Sequence, residues 1–278
     1  MIFLVDNGSV RADAYRNLRS IASRVSESIS NSVIPAPLLH ADKIPEADLD
    51  DERVTLLEAA IKEAYSSGER SFEIIPLFFG PSGALVDYLP RRLKGLMKHC
   101  PEMEVRILNP LYVSSENGGA SLATILKERV VSVQMKEGLQ NFNVVLVDHG
   151  SPRQEVTNVR NAVGEILNQS FGEGLNSLIA ASMERRPGEQ YAFNEPLLAN
   201  ALESFGDHPK PIILAHMFFS PGRHAGPEGD ITAICEASVL KNPALQIHKT
   251  ELIGSHPLLV ELLANRWQER NKLPWLEL

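Results

Sequence analysis

The sequence predicts an α/β protein of two tandem lobes, each a mostly parallel four-stranded sheet flanked by helices. Short apolar runs alternate with longer amphipathic segments along the 278 residues, which is typical of strand–helix units on a parallel sheet. One segment occurs twice, since residues 4–11 read LVDNGSVR and residues 146–153 read LVDHGSPR, about half a chain apart. A second pair, residues 74–87 and 213–230, runs from an apolar strand through Phe-Phe and Pro into a Gly-containing loop and an Asp. These repeats indicate a duplicated fold.

The first lobe is expected to span residues 1–137. Its apolar runs predict four strands, near residues 2–5, 33–38, 72–79 and 104–108. The longer amphipathic segments predict four helices, near residues 12–30, 50–66, 85–98 and 119–136. Apolar residues in the first helix recur three or four positions apart, which predicts one buried stripe made of Ala14, Leu18, Ile21, Val25 and Ile29.

The second lobe, residues 138–270, is expected to repeat this order after a polar linker around residue 137. Its strands are predicted near residues 143–147, 177–183, 211–219 and 246–250. Its helices are predicted near residues 154–168, 194–204, 228–239 and 256–268. The stripe that matches the one in the first lobe consists of Val156, Val159, Val163, Ile166 and Leu167. Residues 271–278 are expected to form a short tail.

The composition is typical of a soluble globular protein, with 44% hydrophobic and 22% charged residues. A formal net charge of −8 argues against a general binder of nucleic acid or of anionic membranes, so neither partner is expected. Cys100 and Cys235 are far apart and in no metal-type spacing, which fits a reducing compartment. The N-terminus has no signal-peptide pattern and no apolar run is long enough for a membrane span, so we expect a cytoplasmic location.

Two histidines distinguish the second copy from the first. His149 stands where the first copy has Asn7, and His224 stands where it has Gly83 or Ala84, depending on the gap. Both follow predicted strand ends, where open α/β sheets bind ligands. A pair of neutral imidazoles suits a borderline divalent metal, and either imidazole can act as a general base. We therefore expect the site in the second lobe, whereas His216, inside a predicted strand opposite Pro76, is expected to be structural.

Charged residues occur in the same set of predicted loops. Glu184 follows the second strand of the second lobe, where it either contributes to a metal or proton-transfer site or is a solvated charge paired with Arg185 or Arg186. The first lobe has a segment beginning at His40 at the matching place, with no aligned glutamate. Guanidinium groups suit the capture of anionic ligands, although surface arginines also form ordinary ion pairs. The arginines in these loops are Arg153, Arg185, Arg186 and Arg223.

Four motifs follow one another in the order of a known family. They are Asp148-His149-Gly150-Ser151, then Glu184 ahead of Pro187, then Phe218-Phe219 with Gly222-Arg223-His224 and Asp230-Ile231, and then Ile253-Gly254-Ser255-His256-Pro257. In these motifs the chain resembles the class II tetrapyrrole chelatases of the sirohydrochlorin cobaltochelatase and ferrochelatase type. The resemblance covers nearly the whole chain as two chelatase-like lobes, of which the first is degenerate. The spacing from His224 to Asp230 is longer than is usual in that family.

The resemblance implies an enzyme, a lyase that inserts a divalent metal into sirohydrochlorin for siroheme or cobalamin biosynthesis. It implies that His149 and His224 hold the metal and, with Glu184, take part in catalysis. Ser151, Arg153, Arg185 and Arg223 are expected to contact the substrate. The metal, iron or cobalt with nickel as a third candidate, is a substrate, and no organic cofactor is expected. The expected partner is a sirohydrochlorin-type tetrapyrrole, and fusion of two lobes in one chain is compatible with a monomer.

Two other interpretations remain open at this point. A non-catalytic carrier or regulator that binds a tetrapyrrole or a metal would use the same cleft between the lobes, which His149 and His224 are expected to face, without turnover. A duplicated hydrolase or phosphate-handling enzyme would use His149 as nucleophile or base, but the sequence offers no partner acid, nucleophile elbow or phosphate-binding loop for it.

Overall fold

The computed structural model describes residues 1–113 and 118–278 and contains two four-stranded parallel sheets. The strands of the first sheet lie in the order β2-β1-β3-β4 and are β1 (Ile2–Val5), β2 (Val33–Pro35), β3 (Ser71–Pro76) and β4 (Glu104–Ile107). The strands of the second sheet lie in the order β6-β5-β7-β8 and are β5 (Phe142–Asp148), β6 (Leu175–Ser182), β7 (Ile212–His216) and β8 (Ile247–Lys249). The identical strand order confirms the predicted fold class and its duplication.

Eight α-helices accompany these strands in the described part of the chain. They are α1 (Ala12–Ile29), α2 (Leu57–Ser66), α3 (Leu89–Met97), α4 (Gly118–Glu137), α5 (Gln154–Ser170), α6 (Leu198–Glu203), α7 (Asp230–Lys241) and α8 (Pro257–Gln268). Helix α2 begins seven residues later than predicted, because short 3-10 turns and the positive φ angles of Asp50 and Asp51 interrupt the preceding segment. No helix within the described residues combines the length and the hydropathy needed to cross a bilayer.

The buried faces of α1 and α5 show how closely the two copies correspond. Helix α1 buries all five residues of its predicted stripe. In α5 the stripe differs from the prediction, because Arg160 is buried whereas Val156 and Ile166 are only half-buried. Arg160 occupies the helical position that Leu18 occupies in α1, since each precedes the next buried aliphatic residue of its helix by three positions. The second copy therefore places a cation where the first has a core leucine.

The chain forms two compact units that differ from the predicted lobes by one helix each. The first unit comprises Met1–Val113 and Pro257–Leu278, and the second comprises Ser114–His256, of which residues 118–256 are described. Helix α8, expected in the second lobe, packs on α1, and α4, expected in the first lobe, packs on α5. The predicted lobes, residues 1–137 and 138–270, thus follow the sequence repeat, whereas the compact units exchange the last helix of each repeat.

Polar contacts fix both exchanged helices in their units. The Arg266 guanidinium on α8 donates to the carbonyl oxygen of Leu111 at 2.9 Å, within the first unit. Glu128 on α4 lies 3.0 Å from Nε2 of His256, within the second unit. The segment expected to be a tail also packs on the first unit, because the Leu276 amide donates to the Val105 carbonyl. Residues 271–278 are thus part of the first unit's fold.

Candidate functional site

His149 and His224 lie side by side at the carboxyl edge of the second sheet. His149 directly follows β5, and His224 lies in the loop between β7 and α7. Their ring centroids are 4.6 Å apart and the ring planes meet at 70°. Both residues belong to the second unit, so one rigid sheet and its loops bring together two histidines that are 75 residues apart in sequence. This edge is where parallel α/β sheets present ligand-binding groups.

The Nδ1 atom of each imidazole faces an acceptor oxygen. Nδ1 of His149 lies 2.9 Å from the carbonyl oxygen of Gly150, and Nδ1 of His224 lies 2.6 Å from Oδ2 of Asp230. A carbonyl or a carboxylate only accepts hydrogen bonds, so each Nδ1 carries the proton and donates it. In the neutral form of each ring the lone pair is then on Nε2, and this tautomer can bind a metal or accept a proton through Nε2.

Glu184 lies beside the first of these imidazoles. Its Oε1 atom is 3.5 Å from Nε2 of His149, and its side chain is 60% exposed. Arg185 forms its ion pair with Glu195 at 2.8 Å, and this pair differs from the Arg185–Glu184 pair that the sequence left open. Across residues 1–113 and 118–278, no group of three or more His, Cys, Asp or Glu side chains is arranged to hold a metal ion. The arrangement therefore offers two imidazole nitrogens with the exposed carboxylate of Glu184 beside one of them.

A glycine in the left-handed region allows the His149 loop to pass next to the Glu184 backbone. Gly150 has φ +88°, and a Cβ atom there would lie 1.9 Å from the carbonyl oxygen of Glu184. Gly8, the counterpart in the first copy, has φ +85° and would place a Cβ 1.8 Å from the carbonyl oxygen of Leu39. Only glycine fits at either position. The structural counterpart of Glu184 is therefore Leu39, one residue before the segment beginning at His40 that the sequence suggested.

The loop that carries His224 closes on itself through two glycines. A Cβ on Gly226 would lie 2.7 Å from the carbonyl oxygen of Gly222, and one on Gly229 would lie 2.4 Å from that of His224. The same His224 carbonyl accepts the amide of Ile231 in the first turn of α7. This folding of the loop brings Asp230 back to the imidazole despite the long spacing between them, so the unusual spacing is compatible with the contact.

The predicted substrate-binding residues are not equally available. The Arg223 side chain is 78% exposed, with its Nε 3.5 Å from Asp230 Oδ2. Arg185 spans its own loop, because it also donates to the Gly188 carbonyl at 2.9 Å. Arg153 lies 3.3 Å from Glu155, and the hydroxyl of Ser151 accepts the Arg153 amide at 3.0 Å. Among the three predicted arginines, Arg153, Arg185 and Arg223, the last is the most exposed, while Ser151 and Arg185 hold their own loops.

A buried polar network beneath the His149 loop was not predicted from the sequence. It consists of Asp148, Arg160, Ser182 and Asn194, which are 7%, 1%, 0% and 0% exposed. The Ser182 hydroxyl donates to Asp148 Oδ1 at 2.7 Å and accepts a hydrogen bond from Arg160 Nη1. Burial raises the pKa of Asp148, while the Arg160 cation opposes that rise. The signal in the sequence was an arginine on the predicted buried face of a helix.

The first copy has a carboxylate, Asp6, at the position of Asp148, but it lacks the counterparts of Arg160 and Ser182. The Leu38 amide donates to the Asp6 carbonyl, just as the Met183 amide donates to the Asp148 carbonyl, so Leu38 and Met183 are equivalent positions. Pro37 therefore lies at the position of Ser182. Leu18 lies at the position of Arg160. Burial raises the pKa of Asp6 to about 6, and the Gly8 amide, which donates to Asp6 Oδ1, only partly offsets that rise.

His216, which the sequence places inside a strand, is buried in the second sheet. It ends β7, is 4% exposed, and its Nδ1 lies 3.0 Å from the carbonyl oxygen of Thr250. Burial lowers the pKa of this imidazole to about 4, because the cation would have to leave water. His216 is therefore neutral near pH 7.

Comparisons with known proteins agree with this fold. Residues 143–270 match the protein-family model named CbiX. No curated protein sequence matches the chain at a significant level. The structure of SirB from Bacillus subtilis with Fe3+ is similar over 97% of this chain and 94% of that one, with 14% identity and a TM-score of 0.73.

Two further solved structures show the same likeness. The sirohydrochlorin chelatase SirB from Bacillus subtilis subspecies spizizenii in complex with cobalt matches over 98% of this chain and 94% of that one, with 14% identity and a TM-score of 0.69. CbiX, described as the terminal enzyme for siroheme biosynthesis in denitrifying bacteria, matches over 96% of each chain, with 17% identity and a TM-score of 0.60. At these identities the likeness establishes the shared fold.

Proposed function

We propose, from the membership of residues 143–270 in the CbiX family and the chelatase fold of the whole chain, that this protein inserts a divalent metal into sirohydrochlorin. The observation that carries the proposal is the adjacency of His149 and His224, in each of which Nδ1 is tied to an acceptor oxygen so that Nε2 is the candidate ligand atom. The enzyme would be a single-site chelatase, because the first copy has Asn7 and Leu39 where the second has His149 and Glu184.

The two Nε2 atoms would receive the metal before transfer. Neutral imidazoles bind several borderline first-row ions, so iron and cobalt are the candidate metals and nickel is a third. One SirB structure holds Fe3+ and another holds cobalt, which is compatible with this range. The choice of metal would decide whether the product serves siroheme or cobalamin biosynthesis.

Proton removal is the second requirement of the reaction. A tetrapyrrole must lose two pyrrole N–H protons when a divalent ion takes their place. Glu184 lies 3.5 Å from His149 Nε2, so the carboxylate would accept one such proton while Nε2 holds the metal, and Nε2 would accept a proton once the metal has passed to the macrocycle. The exposed Arg223 guanidinium is placed to pair with a peripheral carboxylate of the macrocycle.

An anaerobic absorbance assay tests the proposal. Sirohydrochlorin is mixed with ferrous or cobaltous ion and with either wild type or the His149→Ala, His224→Ala double variant. Wild type is expected to accelerate the metal-dependent spectral change, and the double variant is expected to leave it at the uncatalysed rate. Asn7→Ala, at the counterpart of His149, serves as the matched control and should retain nearly full activity.

The outcomes separate an enzyme from a carrier. A bound-ligand spectrum without any rate above the uncatalysed background would replace the chelatase with a tetrapyrrole- or metal-binding carrier. An equal loss of rate in Asn7→Ala would contradict the assignment of a single site to the second copy.

A further inference from the structure

Arg160 is a buried cation below the loop that carries His149. Its side chain is 1% exposed, and its Nη1 donates to the Asn194 carbonyl at 3.1 Å as well as to the Ser182 hydroxyl. The same nitrogen lies 3.6 Å from Asp148 Oδ1. Removing a guanidinium from water is unfavourable unless charge and hydrogen bonds compensate it, and an aliphatic residue of similar volume is often as stable. The cation therefore calls for a role beyond packing.

The partners of Arg160 hold the backbone on both sides of the His149 peptide. Asp148 Oδ1 accepts the Gly150 amide at 3.1 Å. The Asn194 side chain accepts the Ser151 amide at 2.9 Å through Oδ1 and donates to the Ser151 carbonyl at 2.9 Å through Nδ2. Two consecutive amides that follow His149 are thus fixed by side chains that belong to the Arg160 network.

The first copy shows that the loop can fold without this arginine. Leu18 and Pro37 replace Arg160 and Ser182, yet the Gly8 amide still donates to Asp6 Oδ1 at 3.0 Å. The Arg11 amide likewise donates to Ser9 Oγ at 3.1 Å, as the Arg153 amide does to Ser151 Oγ at 3.0 Å. The loop conformation is therefore compatible with leucine, and the buried arginine accompanies the copy that carries the histidine.

We propose that Arg160 is a positioning residue, which restrains the loop from Asp148 to Ser151 so that the His149 imidazole stays beside His224 and Glu184. The expected effect of Arg160 on turnover rests on the proposed function, whereas its expected effect on the loop does not. Positioning of this kind matters because a displacement of about 1 Å in a reactive group can cost about a hundredfold in rate.

The test compares Arg160→Leu, which reproduces the residue of the first copy, with Arg160→Lys and wild type. Amide hydrogen exchange is measured by peptide mass spectrometry on the full chain. In Arg160→Leu the peptide with Gly150 and Ser151 is expected to exchange at least tenfold faster. The peptide with Gly8 and Ser9 is the internal control and should keep its rate. Arg160→Lys, which retains a cation, should restore part of the protection.

A kinetic measurement then connects the loop to the reaction. Metal insertion by Arg160→Leu is expected to show a kcat about tenfold lower, with KM for the tetrapyrrole little changed, because the Arg160 side chain is only 1% exposed and so is out of reach of a bound macrocycle. Arg106→Met, which removes another buried arginine in the first unit, controls for a general loss of stability. It should leave both the exchange of the Gly150 peptide and kcat unchanged.

The other outcomes contradict either the positioning role of Arg160 or the chelatase function. Unchanged exchange at Gly150 and Ser151, or equal acceleration along the whole chain, would overturn the positioning role of Arg160. Faster local exchange in a protein whose wild type inserts no metal would overturn the chelatase and leave the restraint of the loop established. Faster local exchange with an unchanged kcat would show that the restraint does not serve the reaction.

Discussion

Asp230 Oδ2 lies 2.6 Å from Nδ1 of His224, and this contact determines which imidazole nitrogen is left for a ligand. The carboxylate accepts a hydrogen bond from Nδ1–H, so Nε2, on the side of the ring away from Asp230, is the nitrogen that remains for a ligand. Asp230 is also the first residue of α7, where a negative charge interacts favourably with the helix N-terminus. One side chain thus begins a helix and orients a candidate metal ligand.

Asp230→Asn should weaken metal binding by about 10–100-fold, the usual cost of losing the partner that orients a metal-binding histidine. The amide can donate to Nδ1, which favours the tautomer whose Nε2 carries the proton and cannot bind a metal. Calorimetric titration with cobaltous ion alone measures the effect without the tetrapyrrole. Glu228→Gln, which removes a carboxylate from the same loop, is the control and should bind with nearly wild-type affinity. Equal affinities for Asp230→Asn and wild type would exclude this role for Asp230.

Gly150→Ala and Gly8→Ala form a matched pair of variants. Each places a Cβ within 2 Å of a backbone carbonyl oxygen at a positive φ angle, so each should lower the free energy of unfolding by about 1–3 kcal/mol. Only Gly150→Ala is expected to abolish metal insertion, because it pushes the His149 loop away from Glu184. Thermal denaturation and the insertion assay measure the two effects. Comparable losses of activity in both variants would mean that the first copy takes part in the reaction.

Asp6 should make the first unit less stable as pH rises. Its folded-state pKa is raised to about 6, so the folded state binds the proton more tightly than the unfolded chain does between pH 3.8 and 6. The free energy of unfolding should therefore fall by up to about 3 kcal/mol across that interval. Asp6→Asn keeps an acceptor for the Gly8 amide. Measured by urea denaturation, its free energy of unfolding should exceed that of wild type at pH 7.5 and become equal to it near pH 3.8. A constant difference between the two proteins at all pH values would contradict this.

His216 should make the second unit less stable as pH falls. Its folded-state pKa is lowered to about 4, so the unfolded chain binds the proton more tightly between pH 6.5 and 4. The stability contributed by the neutral imidazole is fully present above pH 6.5 and should decline by about 3 kcal/mol as pH falls through 4. His216→Asn retains a donor near the Thr250 carbonyl and should flatten this decline, although the smaller side chain lowers stability at every pH. Urea denaturation from pH 7.5 to 4 measures the slope, and equal slopes for both proteins would refute the prediction.

The pattern of apolar residues and the internal repeat were sufficient to predict much of the fold. Strand positions, strand directions and the buried stripe of α1 follow from local periodicity, because burial of an apolar face is the main driving force for each element. The difference between Asn7 and His149 in the repeated segment also indicated one loop of the candidate site. That His149 and His224 are adjacent follows from the strand order, which places β7 beside β5.

Tertiary structure decided the features that depend on partners distant in sequence. The apolar faces of α4 and α8 do not encode which sheet each helix covers, so the exchange of these helices between units was not readable from periodicity. The role of Arg160 depends on Asp148, Ser182 and Asn194, which three different segments supply.

The sequence by itself therefore determined the α/β class, the duplication and the two histidines, because period and repetition are local properties of the chain. Only the tertiary structure decided that Leu39 is the counterpart of Glu184 and that Asp230 orients His224. It also showed a buried cation below the His149 loop. The physical reason is that hydrogen bonds and desolvation depend on which side chains meet in space, and spacing along the chain does not specify those meetings.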